Sequence, residues 1–265
     1  MHNELFKIGS VTVYGYGLMI AIGILAAYLV AEYRAKKKGL DSEPVFSIMI
    51  CAVICGFAGA KLLYYITVLD EILKDPHLLV TDLADGFVVY GGIIAGIFSV
   101  AIFCKIKKIP FLTYMDLILP SVALAQGFGR IGCFLAGCCY GVETDSAFSV
   151  TFHTSAYAPN DVALFPSQLV SSGLNFLNFT VLCLLARKNK TPGQIGALYL
   201  IFYSIGRFCI EFFRGDLLRG SVGVLSTSQF ISIFVAIAGV VMYGILSLHK
   251  AKDTDTDCSH DDSGK

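Results

Sequence analysis

Residues 111–141 read FLTYMDLILPSVALAQGFGRIGCFLAGCCYG. A helix needs roughly 20 apolar residues to cross the ~30 Å hydrocarbon core of a bilayer. This run exceeds that length while carrying one acid, Asp116, near its start and one base, Arg130, well inside it. Gly127-Phe128-Gly129-Arg130-Ile131-Gly132 formally satisfies G-x-G-x-x-G. A dinucleotide site needs that pattern at a strand-to-helix turn within a βαβ unit, whereas here it lies inside an apolar helical run. The glycines between 127 and 141 instead imply close backbone approach, either to a neighbouring helix through small residues or to a ligand.

Six further stretches have the same character: 13–34, 45–69, 86–106, 169–186, 195–213 and 224–248. Over the whole chain 55% of residues are apolar and 15% charged, against about a quarter charged in soluble domains. The expected fold is an all-α integral membrane protein with seven transmembrane helices. Lys+Arg and Asp+Glu each number 20, and a nucleic-acid binder would need an excess of bases to neutralise phosphates. Nine cysteines in apolar contexts do not make a secreted disulfide scaffold.

Short loops that hold Lys and Arg face the cytoplasm. Arg34, Lys36, Lys37 and Lys38 follow the first span, Lys105, Lys107 and Lys108 the third, and Arg187, Lys188 and Lys190 the fifth; Lys250, Lys252 and Lys265 follow the seventh. The alternate segments carry only Lys7, Lys74, Arg214 and Arg219. The N-terminus is therefore expected outside and the C-terminus in the cytoplasm. Residues 1–250 form one polytopic domain, with the outer loop 142–167 a candidate periplasmic cap, and 251–265 a disordered acidic cytoplasmic tail. The tail begins like a calcium loop but has Cys258 where Gly is needed, which favours a solvated segment.

Lys61, Arg130 and Arg207 remain, inside the second, fourth and sixth spans. Intramembrane charge is costly and marks function. At ~1.5 Å rise per residue, Lys61, Arg130 and Arg207 lie about eight, eleven and six residues from the outer helix ends, all in the outer half of the bilayer. Three cations there suit an anionic ligand such as a lipid phosphate. Arg207, Glu211 and Arg214 share one stripe at i, i+4, i+7, so a buried Arg207–Glu211 pair is the competing structural account. Asp116 is expected to stabilise the positive N-terminal end of its own helix.

Cys133, Cys138 and Cys139 lack the C-x₂-C spacing of zinc sites, and no histidine falls in a span. Small apolar packing is the first account of them; a disulfide or a reactive thiol at the outer face is the second. Tyr14, Tyr16, Tyr64, Tyr65, Tyr90 and Tyr140 fall near outer helix ends, as an interfacial aromatic belt would. Tyr16 and Tyr90 are each followed by Gly, which leaves room for a ligand beside the phenol.

Taken in order, these segments resemble the bacterial phosphatidylglycerol–prolipoprotein diacylglyceryl transferases from about residue 8 to 248. The matching pieces are Val13–Met19, Gly59-Ala60-Lys61-Leu62-Leu63-Tyr64, Asp85-Gly86, Tyr90-Gly91-Gly92 and Gly129-Arg130-Ile131-Gly132-Cys133-Phe134 with Gly141. Phe165–Leu169, Gly206–Arg214 and Leu225–Gln229 complete them. The resemblance implies transfer of diacylglyceryl from phosphatidylglycerol to the lipobox cysteine thiol of a prolipoprotein, forming a thioether and releasing glycerol phosphate, in the bacterial cytoplasmic (inner) membrane. The partners it implies are that lipid, the prolipoprotein signal peptide and the surrounding bilayer, with no cofactor, metal or nucleic acid.

By the same resemblance Arg130 and Arg207 are the essential arginines that bind phosphate and stabilise the leaving group, Tyr16 positions the headgroup, and Lys61 stands at the second-helix arginine. Gly91 and Gly92 lie beside the lipid, and Gly141 ends the family signature. Ser167, Gln168, Glu211, Arg214 and Gln229 are supporting or lining groups. The family motif has His where this chain has Tyr90, and Asn, Asn and Glu where it has Cys133, Ala136 and Cys138. A phenol of pKa ~10 deprotonates a thiol poorly at neutral pH unless a cation lowers that value, so Tyr90 enters as a candidate catalytic group that differs from its relatives. A lipid or small-anion transporter and a thiol-redox membrane protein are the alternative functions.

Overall fold

The structure is a computed structural model that describes residues 4–8, 11–81, 86–188, 191–215 and 221–261. Long apolar stretches with few breakers become helices, and each of the seven expected spans contains one. These are α1 (Gly15–Lys37), α2 (Glu43–Thr67), α5 (Val89–Lys107), α6 (Phe111–Ala136), α7 (Ser167–Lys188), α8 (Gln194–Glu211) and α9 (Thr227–Asp261). Two short helices, α3 (Leu69–Lys74) and α4 (Leu78–Thr81), lie between α2 and α5. By length and composition six of these helices are fit to cross a membrane. The other long helix, α8, carries Gln194, Arg207 and Glu211 within its 18 residues, which dilutes its hydropathy.

The fold is mostly helical rather than all-α. Among the described residues three two-stranded antiparallel pairs accompany the helices: β1 (Glu4–Ile8) with β2 (Val11–Tyr14), β3 (Val150–Thr151) with β4 (Ala163–Leu164), and β5 (Ser221–Val222) with β6 (Leu225–Ser226). Their segments lie outside the helices, where the apolar runs stop. The span boundaries also move. The third helix starts at Val89 rather than 86, the fourth stops at Ala136 rather than 141 because Gly137 turns the chain with φ 74°, and the seventh runs from Thr227 to Asp261 rather than from 224 to 248.

The chain divides into two compact units, residues 32–114 and residues 1–31 with 115–265. In the smaller, α2 and α5 pack through glycines. A Cβ on Gly59 would lie 2.6 Å from the Gly91 carbonyl oxygen, and one on Gly92 would lie 2.9 Å from that of Gly56. Such close approach is what holds apolar helices together in lipid, where dispersion replaces the hydrophobic effect. At the start of α2, Asp41 Oδ1 accepts the Glu43 N–H at 3.0 Å, while Tyr114 donates to the Asp41 carbonyl at 2.9 Å.

In the larger unit, α7 is built inside out relative to a helix of a soluble protein. On α7, Ser167, Gln168, Ser172, Asn175 and Asn178 are buried, whereas Leu174, Leu177, Leu184 and Leu185 are exposed. Apolar side chains gain nothing from leaving hydrocarbon, so polar groups take the interior, where partners exist. Ser172 donates to the Gly127 carbonyl at 2.9 Å, and Tyr199 to Gln126 Oε1 at 3.2 Å. An apolar cluster of Ala123 on α6, Leu182 and Ala186 on α7, and Ile195 and Tyr199 on α8 joins the three helices. Asp116 serves a different helix from the one expected. Its two oxygens accept the N–H groups of Gly193 and Gly196, each at 2.7 Å, so it caps α8, whose N-cap residue Gly193 has no side chain to do so. The segment 142–167 has its own small core of Phe152, Ala158 and Leu164, against which Phe134 and Tyr140 pack.

Candidate active site

Arg130 on α6 and Arg207 on α8 line one small, partly open cleft in the larger unit, together with Ser171, Asn175 and Asn178 of α7 and Tyr203 of α8. The two guanidiniums lie within electrostatic reach of each other. Their surroundings differ. Arg207 Nη1 is 2.8 Å from Glu211 Oε2, and its Nη2 donates to Ser228 Oγ at 2.8 Å. The same carboxylate oxygen lies 3.9 Å from Arg214 Nε. The ion pair expected from the i, i+4 spacing is therefore present, and Arg214 shares it at i, i+3. Arg130 makes no hydrogen bond or ion pair among the described residues. Glu211 is thus shared by two guanidiniums and does not reach Arg130, and a guanidinium presents a fork of donors that fits phosphate oxygens.

Tyr16, at the start of α1, is within electrostatic reach of Arg130 and of Cys133, Cys138 and Cys139. Gly132 permits this contact. A Cβ there would stand 3.2 Å from both the ring and the carbonyl oxygen of Tyr16.

The chain after α6 is held by the start of α7. Ser167 Oγ donates to the Cys139 carbonyl and Gln168 Nε2 to the Cys138 carbonyl, each at 2.9 Å. Gly141 sits where three segments meet. Its N–H donates to the Phe165 carbonyl at 3.2 Å, it bridges to Arg214, and a Cβ would come 2.8 Å from the Phe213 carbonyl. No other residue fits that junction without moving backbone. Gln229 belongs to a capping box at the start of α9: its Oε1 accepts the Ser226 N–H, and Ser226 Oγ accepts the Gln229 N–H, both at 3.1 Å. Ser167, Gln168, Gly141 and Gln229 thus each have a structural occupation.

Lys61, Tyr90, Gly91 and Gly92 lie in the smaller unit. Lys61 Nζ donates to the Gly86 carbonyl at 3.3 Å and stands 4.9, 4.8 and 5.0 Å from the ring centres of Tyr64, Tyr65 and Phe87. Its ammonium is held in an aromatic cage. Gly91 and Gly92 are used by helix packing, as described above, and Tyr90 is 41% exposed.

Ser171, Asn175, Asn178 and Tyr203 are cleft residues that sequence reasoning missed. The signal was present: Ser171, Asn175 and Asn178 fall at i, i+4, i+7 in an apolar span, which puts three polar groups on one face. The cysteines were also under-read. Their sulfurs at 133, 138 and 139 all lie within 4.8 Å of one another. Past the end of α6, hydrogen bonding with the Cys133 and Cys139 thiols, and then burial, push the Cys138 thiol up from its ordinary value.

Comparison with known proteins covers almost the entire chain. A family model described as prolipoprotein diacylglyceryl transferase matches residues 3–245. A phosphatidylglycerol–prolipoprotein diacylglyceryl transferase of Clostridium tetani is 47% identical over 245 residues, which is 92% of this chain and 98% of the relative. One numbered 2 in Clostridium perfringens is 45% identical over 255 residues, 96% and 99% of the two chains. One from Finegoldia magna is 32% identical over 243 residues, 91% and 94%.

Proposed function

Because the chain belongs to the prolipoprotein diacylglyceryl transferase family, we propose that it transfers the diacylglyceryl group of phosphatidylglycerol to the lipobox cysteine of prolipoproteins. The sulfur attacks the glyceryl carbon that bears the phosphate ester. A thioether C–S bond forms, the C–O bond breaks, glycerol phosphate departs with its oxygen, and the thiol proton leaves to a base. Negative charge grows on the departing phosphate, so fixed cations beside it lower the barrier. The observation that carries this reading is the cleft shared by Arg130 and Arg207.

In this scheme Arg130 supplies the unpaired guanidinium for the phosphate, and Arg207 is held in place for the same phosphate by Glu211 and Ser228. Tyr16 positions the headgroup. Lys61 is a secondary cation, and Ser167, Gln168, Gly141, Arg214 and Gln229 support the site through the backbone and ion pairs they hold. Tyr90, with Gly91 and Gly92 behind it, receives the attacking thiol. The test is transfer of label from phosphatidylglycerol to a lipobox peptide by the purified protein. Tyr90→Phe tests the phenol: a lowered rate keeps Tyr90 in the chemistry, and an unchanged rate removes it.

The same proposal places the protein in the bacterial cytoplasmic membrane with seven crossings, α8 included. The N-terminus and the 142–167 segment are outside, and the acidic residues 251–265 are in the cytoplasm. The distribution of Lys and Arg between alternate loops supports it. A C-terminal fluorescent reporter that folds only in the cytoplasm is expected to light, and a dark reporter on a well-expressed chain overturns the orientation.

A further inference from the structure

The three sulfurs after Arg130 form a cluster that the transfer reaction does not use. Cys133 is on the last turn of α6, and Cys138 and Cys139 are adjacent in the loop that follows. Adjacent side chains on an extended chain point apart. Here the backbone is turned so that they do not. Gly137 has φ 74° and Cys139 has φ 59°, a left-handed conformation that a non-glycine residue rarely adopts. The turn is fixed from several sides: the Cys138 N–H donates to the Cys133 carbonyl at 3.1 Å, and Ser167 and Gln168 hold the carbonyls of Cys139 and Cys138. Gln168, only 1% exposed, is part of the buried support.

We propose that Cys133, Cys138 and Cys139 form a three-thiolate site for a thiophilic closed-shell cation, of which Zn²⁺ is the representative. A tetrahedral Zn²⁺ with Zn–S bonds of about 2.3 Å sets its sulfurs about 3.8 Å apart. The three sulfurs already stand within 4.8 Å of one another, so a contraction of about 1 Å closes the site. Each thiol gives up its proton to solvent as its sulfur takes the metal. Three thiolates and a dication leave one negative charge on the site. Hydrogen bonds that fix the loop carbonyls play the orienting part that outer-shell contacts play around metal ligands. With three protein ligands, the fourth position of the ion is open to an exchangeable ligand.

The full-length protein, reduced and then freed of reductant in detergent, is titrated with Cd²⁺ and separately with Co²⁺. Cadmium is expected to bind at one ion per chain with a thiolate-to-metal charge-transfer band, and cobalt to show the intense visible bands of a tetrahedral, sulfur-rich site. Both measurements use the unaltered chain and need no variant to fold. Cys138→Ser and Cys139→Ser are each expected to weaken Cd²⁺ binding about a hundredfold or more, while Cys51→Ser and Cys209→Ser leave it unchanged. Absence of both spectra overturns the proposal, as does Cd²⁺ binding that survives the two substitutions. A disulfide within the cluster, found by mass analysis of protein trapped with alkylating agent straight from the membrane, also overturns it and assigns the sulfurs to redox chemistry.

Discussion

Lys61 and Arg130 are both cations in apolar helices, yet the molecule treats them differently. Around Lys61 the smaller unit sets the Gly86 carbonyl against the ammonium and three aromatic rings about 5 Å from it. Around Arg130 the larger unit builds a cleft with amide and hydroxyl groups and leaves the guanidinium without a carboxylate. A buried charge is tolerated when something stabilises it. For Lys61 that partner is part of the fold. For Arg130 it is missing from the described residues, so the ligand is the natural candidate. Position within a helix does not reveal this distinction; the neighbours do.

The comparison breaks first at Arg130 and Arg207. Arg130→Ala is expected to lower kcat for transfer about 10²–10³-fold, the range for losing one group that stabilises transition-state charge, with the melting temperature in detergent nearly unchanged. Arg207→Ala should match it in rate but also lower the melting temperature, because Glu211 then remains buried without its 2.8 Å partner. If Arg130→Ala retains full activity, the cleft is not the phosphate site.

Next in size is the packing that carries the Lys61 enclosure. Gly91→Val places side-chain atoms where the Gly59 carbonyl stands, and overpacking of this kind costs about 1–3 kcal/mol. Thermal unfolding in detergent should register the loss, and a variant as stable as the parent would show that α2 and α5 can separate freely. The smallest effect belongs to Lys61→Met. Cation–π contacts contribute about 0.5–2 kcal/mol, so the expected drop in transfer is at most about thirtyfold, at about 1.36 kcal/mol per factor of ten. A loss equal to that of Arg130→Ala would erase the contrast between the two regions.

Most of the helical frame was legible from periodicity-free apolar length alone, because in lipid the length of an apolar run is itself the signal. The Arg207–Glu211 pair was legible because its partners sit four residues apart on one helix. Contacts across long separations were not. Asp116 reads as a cap for its own helix, and only the fold brings Gly193 and Gly196 to it. The three sulfurs looked scattered because their meeting depends on two left-handed residues, Gly137 and Cys139, and Cys139 has no glycine to announce it. The capping box at Ser226 and Gln229 was visible as S-x-x-Q, but beside the family motif it looked like part of a binding site.

The junction at Gly141 bears on how the protein is made. Its partners are Phe165 on one side and Phe213 to Gly215 on the other, so the seam draws on three segments that leave the ribosome at different times. Closure must wait until residue 215 has been synthesised and α8 has taken its place. The turn after α6 therefore waits through the synthesis of residues 142–215 for its last backbone partners, and the cleft that Arg130 and Arg207 share is completed only once α8 has been made.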